Sequence, residues 1–163
     1  MQKKAAAITP AVQPTPIVIV SCRDSQGRDN ALTVAYCCNC SFDPPMVMVS
    51  IAPSRFSHHM IKETKCFVIN LATKEHEGVM QYLGTKSGRD EDKLAKLGLK
   101  TEDGRTVNAP VLSGFPVNIE CKVVDSIVTG SHEVFVGEIK YIHAREDLLD
   151  DEGNILFDKL ELL

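Results

Sequence analysis

The sequence predicts a mainly β protein, an antiparallel barrel with helices inserted in the middle of the chain. Runs rich in β-branched residues outnumber the helical segments, so the helices are too few to alternate with strands in a doubly wound sheet. The chain also contains neither a G-x-G-x-x-G run nor a P-loop. Both observations favour a barrel over a parallel nucleotide-binding sheet.

Length and composition predict one domain of ordinary globular character. The chain has 163 residues, 44% of them hydrophobic and 25% charged, enough to bury about two-thirds of the unfolded surface. A net charge of -4 argues against nucleic acid as the main partner. No apolar run approaches a membrane span and the first residues lack a secretory signal. We expect a cytoplasmic protein with a loose arm over residues 1–15 and one domain over residues 16–163.

The first half of the chain reads as strands separated by turn residues. A continuous apolar run predicts a buried strand over Ile17–Cys22, and a turn-rich segment then leads into a hairpin partner over Ala31–Cys37. A polar loop with Pro44 and Pro45 interrupts the pattern, and β character resumes over Met46–Ala52.

Helices enter next. Ser57 is positioned to cap a short helix that ends at Thr64, and a strand over Cys66–Ala72 follows. The pattern then predicts helices over Glu75–Gly84 and Asp90–Leu97, the second with Gly98 as its C-cap residue.

The last part returns to β structure. Two long runs over residues 117–130 and 132–144, with a turn near Gly130, predict an antiparallel hairpin. A last short strand is predicted over Ile155–Phe157.

Two segments carry groups that suit a phosphate. Arg55 lies between Ser54 and Ser57 at a helix start, where guanidinium, hydroxyl and free amide donors meet. The loop over residues 85–89, which includes Ser87, is basic and rich in hydroxyl groups, and Gly88 lets backbone amides approach an anion. A solvated arginine beside ordinary capping serines is the alternative.

Other polar residues suit a planar heteroaromatic ligand. Asn30, Thr33 and Asn39 offer hydrogen bonds and Tyr36 could cover a ring, although polar groups on an exposed strand are also ordinary. His132 precedes a long strand, where it could hydrogen-bond a substrate. An exposed turn histidine is the alternative.

The cysteines are best interpreted as buried and inert. Cys37, Cys38 and Cys40 are close in sequence to His58 and His59, and thiolates with imidazoles are usual zinc ligands. However, neighbouring strand residues point to opposite faces and no second C-x-x-C pair follows. No metal site is predicted.

In this order, NALTVA, SFDPPMVMVSI, SRFS and FVINLA resemble the flavin reductase-like family of FMN-binding split barrels, and within it the flavoredoxin type. The segments SGRDEDKLAKLGL, APVLSGFPVNIEC and GSHEVFVGEI continue the resemblance, which runs from about Pro16 to His143.

This resemblance implies a six-stranded Greek-key split barrel that forms a homodimer. It further implies an oxidoreductase that holds FMN near the subunit interface and transfers electrons, often from NADH, NADPH or a protein electron donor. A flavin-binding barrel without turnover and a thiol or metal redox protein that uses Cys37 to Cys40 remain open alternatives.

The resemblance also assigns roles to individual residues. His132 would orient a hydride donor. Thr33, Val34, Ala35 and Tyr36 would lie along the isoalloxazine of FMN, with Ser50 and Ile51 on the neighbouring strand. The phosphate would be bound by Arg55, Ser57, Ser87, Gly88 and Lys93. Asn30 is also expected to bind FMN.

Overall fold

Strands dominate the computed structural model of the chain, which describes residues 1–163. The strands are β1 Val18–Arg23, β2 Asp29–Val34, β3 Cys37–Ser41, β4 Met46–Ile51, β5 Cys66–Leu71, β6 Thr101–Asp103, β7 Pro110–Leu112, β8 Val117–Val128 and β9 Glu133–Ala144. The helices are α1 Phe56–Thr64, α2 Glu77–Thr85 and α3 Lys93–Leu97, with short 3-10 turns at Lys74–His76, Glu146–Leu148 and Phe157–Lys159.

Seven strands form one antiparallel sheet in the order β2-β1-β5-β8-β9-β4-β3, and β6 pairs with β7 separately. The sheet curls, because β2 at one edge contacts β4 near the other. Buried side chains from both edges, such as Leu32 and Val49, meet Phe67 and Phe135 in one core. The curled sheet therefore encloses its own hydrophobic core.

A second apolar layer covers the outside of β1 and β2. Ile19 and Ala31 face away from the barrel interior and pack with Leu83 of α2 and Leu94 of α3. Because β1 is buried on both faces, its sequence is continuously apolar rather than alternating. This layer holds α2 and α3 against the sheet beside the start of β2.

The long β8–β9 hairpin connects the two halves of the sheet, and it confirms the predicted hairpin and its turn near Gly130. On one side β8 pairs with β5, and on the other side the first half of β9 pairs with β4. The beginning of β9 therefore lies next to the end of β4, just before α1.

Several predicted strand boundaries are wrong. The second strand ends at Val34 rather than at Cys37, and the predicted polar loop contains β3 instead, which adds a seventh strand where six were expected. The short pair β6–β7 was not predicted. The predicted strand over Ile155–Phe157 is only an isolated bridge from Ile155 to Leu149, followed by a 3-10 turn. These strands are short or polar, so their sequences carry little periodic signal.

The helices also differ from the expectation at their starts. Ser57 does not cap α1: Arg55 is the N-cap residue, with no side-chain capping bond, and Ser57 lies inside the first turn. The helix predicted from Asp90 starts at Lys93 with Asp92 as its cap, and Gly98 ends it in the left-handed region as predicted. The helix predicted from Glu75 is a 3-10 turn followed by α2. None of the helices is long and apolar enough to cross a membrane.

Candidate functional site

A cavity of about 320 Å³ opens where β2, α1, the end of α2 and the start of α3 converge with the β8–β9 turn. Its lining residues are Asn30, Leu32, Ala52, Ser54, Arg55, Phe56, Ser57, Leu83, Lys86, Ser87, Gly88, Arg89, Lys93 and His132. The structure thus brings together seven of the residues that the sequence analysis assigns to a ligand site: Asn30, Arg55, Ser57, Ser87, Gly88, Lys93 and His132.

The charge of this cavity is one-sided. Arg55, Lys86, Arg89 and Lys93 line it, and no aspartate or glutamate does. The whole chain carries a net charge of -4, so the cavity is a local positive region on an acidic protein. Such a concentration of cations favours an anionic ligand.

Lys93 is the most unusual of these cations because it is buried, with 3% of its surface exposed. Its Nζ donates to the carbonyl oxygens of Leu83, at 3.2 Å, and Lys86, at 3.1 Å, and it has no carboxylate partner. An ammonium carries three protons, so one remains for the cavity. Burial lowers the pKa of Lys93 to about 8. An anion bound in the cavity would supply the counter-charge that the fold leaves out.

Backbone amides add further donors to the cavity. The N–H groups of Phe56 and Ser57, at the start of α1, have no acceptor in the chain, and the same is true of Ser87 and Gly88 in the loop before α3. Free amides at a helix start combined with a glycine-containing loop form a recurrent anion-binding arrangement.

The loop before α3 lies directly against the start of α1. A Cβ atom on Gly88 would come within 2.5 Å of Phe56 Cδ1 and 2.7 Å of Asn30 Oδ1. The Arg89 Nη1 donates to Ser54 O at 2.7 Å. Only glycine permits this approach, and it brings the two groups of free amides to the same wall of the cavity.

Asn30 and Ser57 form a buried polar pair in that wall. Asn30 Nδ2 donates to Ser57 Oγ at 2.8 Å, and no more than 3% of either residue is exposed. The Asn30 Oδ1 accepts no hydrogen bond from the chain, so it remains available as an acceptor for a ligand hydroxyl.

The end of the cavity at the β8–β9 turn is formed by His132. Ser131 Oγ lies 2.7 Å from His132 Nδ1, and the ring packs edge-on against Tyr36 at 5.3 Å between centroids. Tyr36 and Ala35 are exposed, and their N–H groups have no acceptor in the chain. The aromatic residue that packs on the histidine therefore carries one free amide, and its chain neighbour Ala35 carries another.

The remaining assigned residues lie outside the cavity lining. The side chains of Val34 and Ile51 are buried in the main core. The Thr33 hydroxyl donates to Met80 O at 2.6 Å, and Ser50 N donates to Tyr36 O at 2.9 Å.

Lys86 and Arg89, which belong to the basic loop predicted to suit a phosphate, also line the cavity, and so does Phe56, for which no role was predicted. The alternation of basic and hydroxyl residues around Ser87 was the available signal for the two cations. Phe56 packs under two guanidinium groups, those of Arg28 at 4.5 Å and Arg89 at 5.6 Å. Nothing in the sequence marks this aromatic residue as part of the cavity.

The expectation that the cysteines are buried is wrong for two members of the cluster. Cys37 is partly buried against the core, whereas Cys38 and Cys40 are exposed on the edge strand β3. No group of three or more potential metal-ligating side chains occurs in the structure.

Comparison with known proteins decides the family. The model of the "Flavin reductase like domain" matches residues 12–159. The chain belongs to this flavin reductase-like family. Flavoredoxin of Desulfovibrio vulgaris (Miyazaki F) is 31% identical with a TM-score of 0.89, and the match covers 97% of this chain and 85% of that one.

Two further relatives of the flavin reductase-like chain are informative. An FMN-binding protein from Thermus thermophilus, solved with 1-cyclohex-2-enone, is 26% identical with a TM-score of 0.80 and covers 95% of this chain and 86% of its own. An NADH:riboflavin 5'-phosphate oxidoreductase from Streptomyces pristinaespiralis is 26% identical over 76% of this chain and 67% of its own. The solved relatives confirm the predicted split-barrel fold class.

Proposed function

We propose that the chain binds FMN in the cation-lined cavity and acts as an FMN-dependent oxidoreductase or electron carrier. The observation that carries this proposal is Lys93, a buried cation without a carboxylate partner that lines a cavity free of acidic residues. Membership in the flavin reductase-like family supplies the class of ligand, and the phosphate of FMN fits the charge of the cavity.

The donor set matches a phosphate monoester in both charge and number. Lys93 and Arg55 supply charged donors, and the amides of Ser57 and Gly88 supply neutral donors along the same wall. Charge-assisted bonds of this kind are roughly twice as strong as neutral ones. The acceptor Asn30 Oδ1 lies beside them, where it would meet a hydroxyl of the ribityl chain.

The redox chemistry itself is supplied by the flavin, which accepts and releases electrons when it is bound. The protein has three tasks: to anchor the phosphate, to offer the free amides of Ala35 and Tyr36 to polar atoms of the ring, and to limit access of water. Val34 and Ile51 contribute backbone position rather than side-chain contact, because their side chains belong to the core.

His132 is proposed to orient the electron donor. It lines the cavity at the β8–β9 turn, and Ser131 fixes one of its ring nitrogens. The other ring nitrogen is then free to hydrogen-bond a reduced nicotinamide such as NADH or NADPH. The name of the Streptomyces relative is consistent with NADH as donor.

An anaerobic spectroscopic titration tests this proposal. Purified protein is mixed with FMN, and binding is expected to quench flavin fluorescence with one FMN per chain. Addition of NADH or NADPH should then bleach the flavin absorbance. Protein that takes up no FMN would refute the proposal, and FMN uptake without bleaching by any donor would leave a flavin-binding barrel without nicotinamide-dependent turnover.

His132→Ala separates donor orientation from FMN binding in the same assay. FMN affinity should change by no more than about threefold, whereas bleaching by the nicotinamide should slow by about tenfold or more. His76→Ala is the control, because His76 hydrogen-bonds Gly114 O away from the cavity. The homodimer remains a prediction of the resemblance, and sedimentation tests it. The cytoplasmic location remains a prediction from the sequence.

A further inference from the structure

Glu133 is a buried carboxylate at the first position of β9, immediately after His132, with 3% of its surface exposed. Its oxygens contact three side chains on two different elements, α1 and β8. Glu133 Oε2 lies 2.6 Å from His58 Nε2 of α1. Glu133 Oε1 accepts from Lys62 Nζ, also of α1, at 3.3 Å and from Ser126 Oγ of β8 at 2.8 Å.

These contacts join the two ends of the cavity. The first residues of α1, Phe56 and Ser57, provide the free amides at the cation-lined end, and His58 follows them directly. On the other side of the contact, Glu133 is covalently next to His132, which lines the cavity at the β8–β9 turn. One carboxylate thus fastens the helix that carries one end to the strand that carries the other.

Stability alone is a weak reason for such a group. Replacing a buried ion pair by well-packed apolar residues is often neutral or stabilising, whereas a satisfied polar network fixes one arrangement of its partners. Burial by itself would raise the pKa of Glu133, but the hydrogen bonds from Ser126, His58 and Lys62 hold that pKa below its usual range. The carboxylate therefore stays charged and keeps its partners in place.

We propose that Glu133 is a positioning residue that fixes the separation between the anion-binding end of the cavity and His132. It touches neither FMN nor the electron donor, and it acts through α1 and His132. The expected effect on FMN affinity rests on the proposed FMN function. The contacts of Glu133 with α1 and β8, which we call the brace, are a property of the protein without ligand.

The chain contains a chemically matched control. Glu120 is also fully buried, and its Oε1 lies 2.6 Å from His143 Nε2. It accepts from the backbone N–H groups of Arg105 and Thr106, on the side of β8 that faces the loop between β6 and β7. Neither Glu120 nor His143 lines the cavity.

Glu133→Gln and its matched control Glu120→Gln test the brace. In hydrogen–deuterium exchange of the protein without ligand, Glu133→Gln should raise exchange in both residues 54–60 and residues 131–135. Glu120→Gln should raise exchange around residues 104–108 and leave those two segments unchanged. FMN affinity should fall about tenfold in Glu133→Gln and stay within about twofold in Glu120→Gln.

His58→Ala and His143→Ala repeat the comparison from the histidine side and keep the test decisive if Glu133→Gln fails to fold. Unchanged exchange at the start of α1 in His58→Ala, or an equal loss of FMN affinity in both members of a matched pair, would overturn the proposal. If the wild-type protein binds no FMN, the proposed function fails, while coupled exchange at the two segments would still support the brace.

Discussion

The two ends of the cavity differ in how firmly the chain holds them. At one end, Lys93 is buried and bonded to two carbonyl oxygens, and the loop containing Gly88 packs on Phe56. At the other end, Tyr36 is exposed and the His132 imidazole has only its neighbour Ser131 as a hydrogen-bond partner. An end with fixed donors suits an anchor for a resident cofactor. An end with free groups suits a reactant that must arrive and leave.

Loss of the buried cation Lys93 should have the largest effect on FMN binding, because Lys93 belongs to the anchoring end. Lys93→Met should weaken FMN binding by about 100-fold, or about 2.7 kcal/mol, because hydrogen bonds to charged groups contribute about 1.5 to 3 kcal/mol. Fluorescence titration with FMN measures the change. Lys96→Met, an exposed position on the same helix, should leave the affinity unchanged. Equal FMN affinity in wild type and Lys93→Met would show that Lys93 does not anchor FMN.

The pH dependence of binding sharpens the same point. Burial lowers the pKa of Lys93 from 10.5 to about 8, so the free protein loses this charge as the pH rises through 8, and FMN affinity should fall there. Affinity should drop by up to about tenfold per pH unit above that value. Lys93→Met should lack this dependence. A wild-type affinity that is flat from pH 7 to 9.5 would contradict the role of Lys93.

The contribution of Lys93 to protein stability should change with pH in the opposite direction to FMN affinity. Because the folded pKa lies below the unfolded value of 10.5, the unfolded chain binds more protons between pH 8 and 10.5. The contribution of Lys93 to the free energy of unfolding therefore rises with pH in that window. Urea denaturation of wild type and Lys93→Met across this range measures the difference between them.

A smaller effect on FMN affinity is expected when a side-chain atom is added to Gly88, where the loop packs closely on its neighbours. In Gly88→Ala the added Cβ would meet Phe56 and Asn30, so the loop must move and FMN affinity should fall by about tenfold. Gly78→Ala is the control: its Cβ meets no atom within 4 Å, and alanine in a helix should stabilise α2 by about 0.5 to 1 kcal/mol. Identical FMN affinities in the two variants would show that the close approach of the loop is unimportant.

The smallest effect on FMN binding is predicted for substitution of the exposed cysteines of β3. Cys38→Ser with Cys40→Ser should leave FMN affinity and bleaching within about twofold of wild type, because neither thiol lines the cavity. A thiol reagent should label Cys38 and Cys40 rapidly in the native protein, since both are exposed. Loss of electron transfer in the double variant would instead favour the thiol redox alternative.

The sequence predicted the anion-binding end of the cavity better than the end at His132, Ala35 and Tyr36, which we call the ring end. Arg55 and Ser57 stand at a helix start and Gly88 in a short loop, so local sequence rules already describe what these residues can do. Nothing local reveals that the loop packs on Phe56, because that contact depends on how α2 and α3 dock on the outer face of β1 and β2.

The ring end depends on strand register, which the sequence specified poorly. Polar, cysteine-rich β3 lacks the alternation of a half-buried strand, and it was therefore assigned to a loop. The β2 boundary at Val34 left Ala35 and Tyr36 outside both strands, with free amides that no sequence pattern indicates. The brace between His58 and Glu133 joins positions 75 residues apart, beyond the reach of any local rule.

Comparison of FMN with riboflavin tests the central claim most directly, because the two ligands differ only in the phosphate. Isothermal titration of the wild-type protein at pH 7 should give an affinity for FMN about 100-fold or more above that for riboflavin, and the difference should largely disappear in Lys93→Met. Equal affinities of the wild-type protein for FMN and riboflavin would contradict the assignment of the cation-lined end to the phosphate.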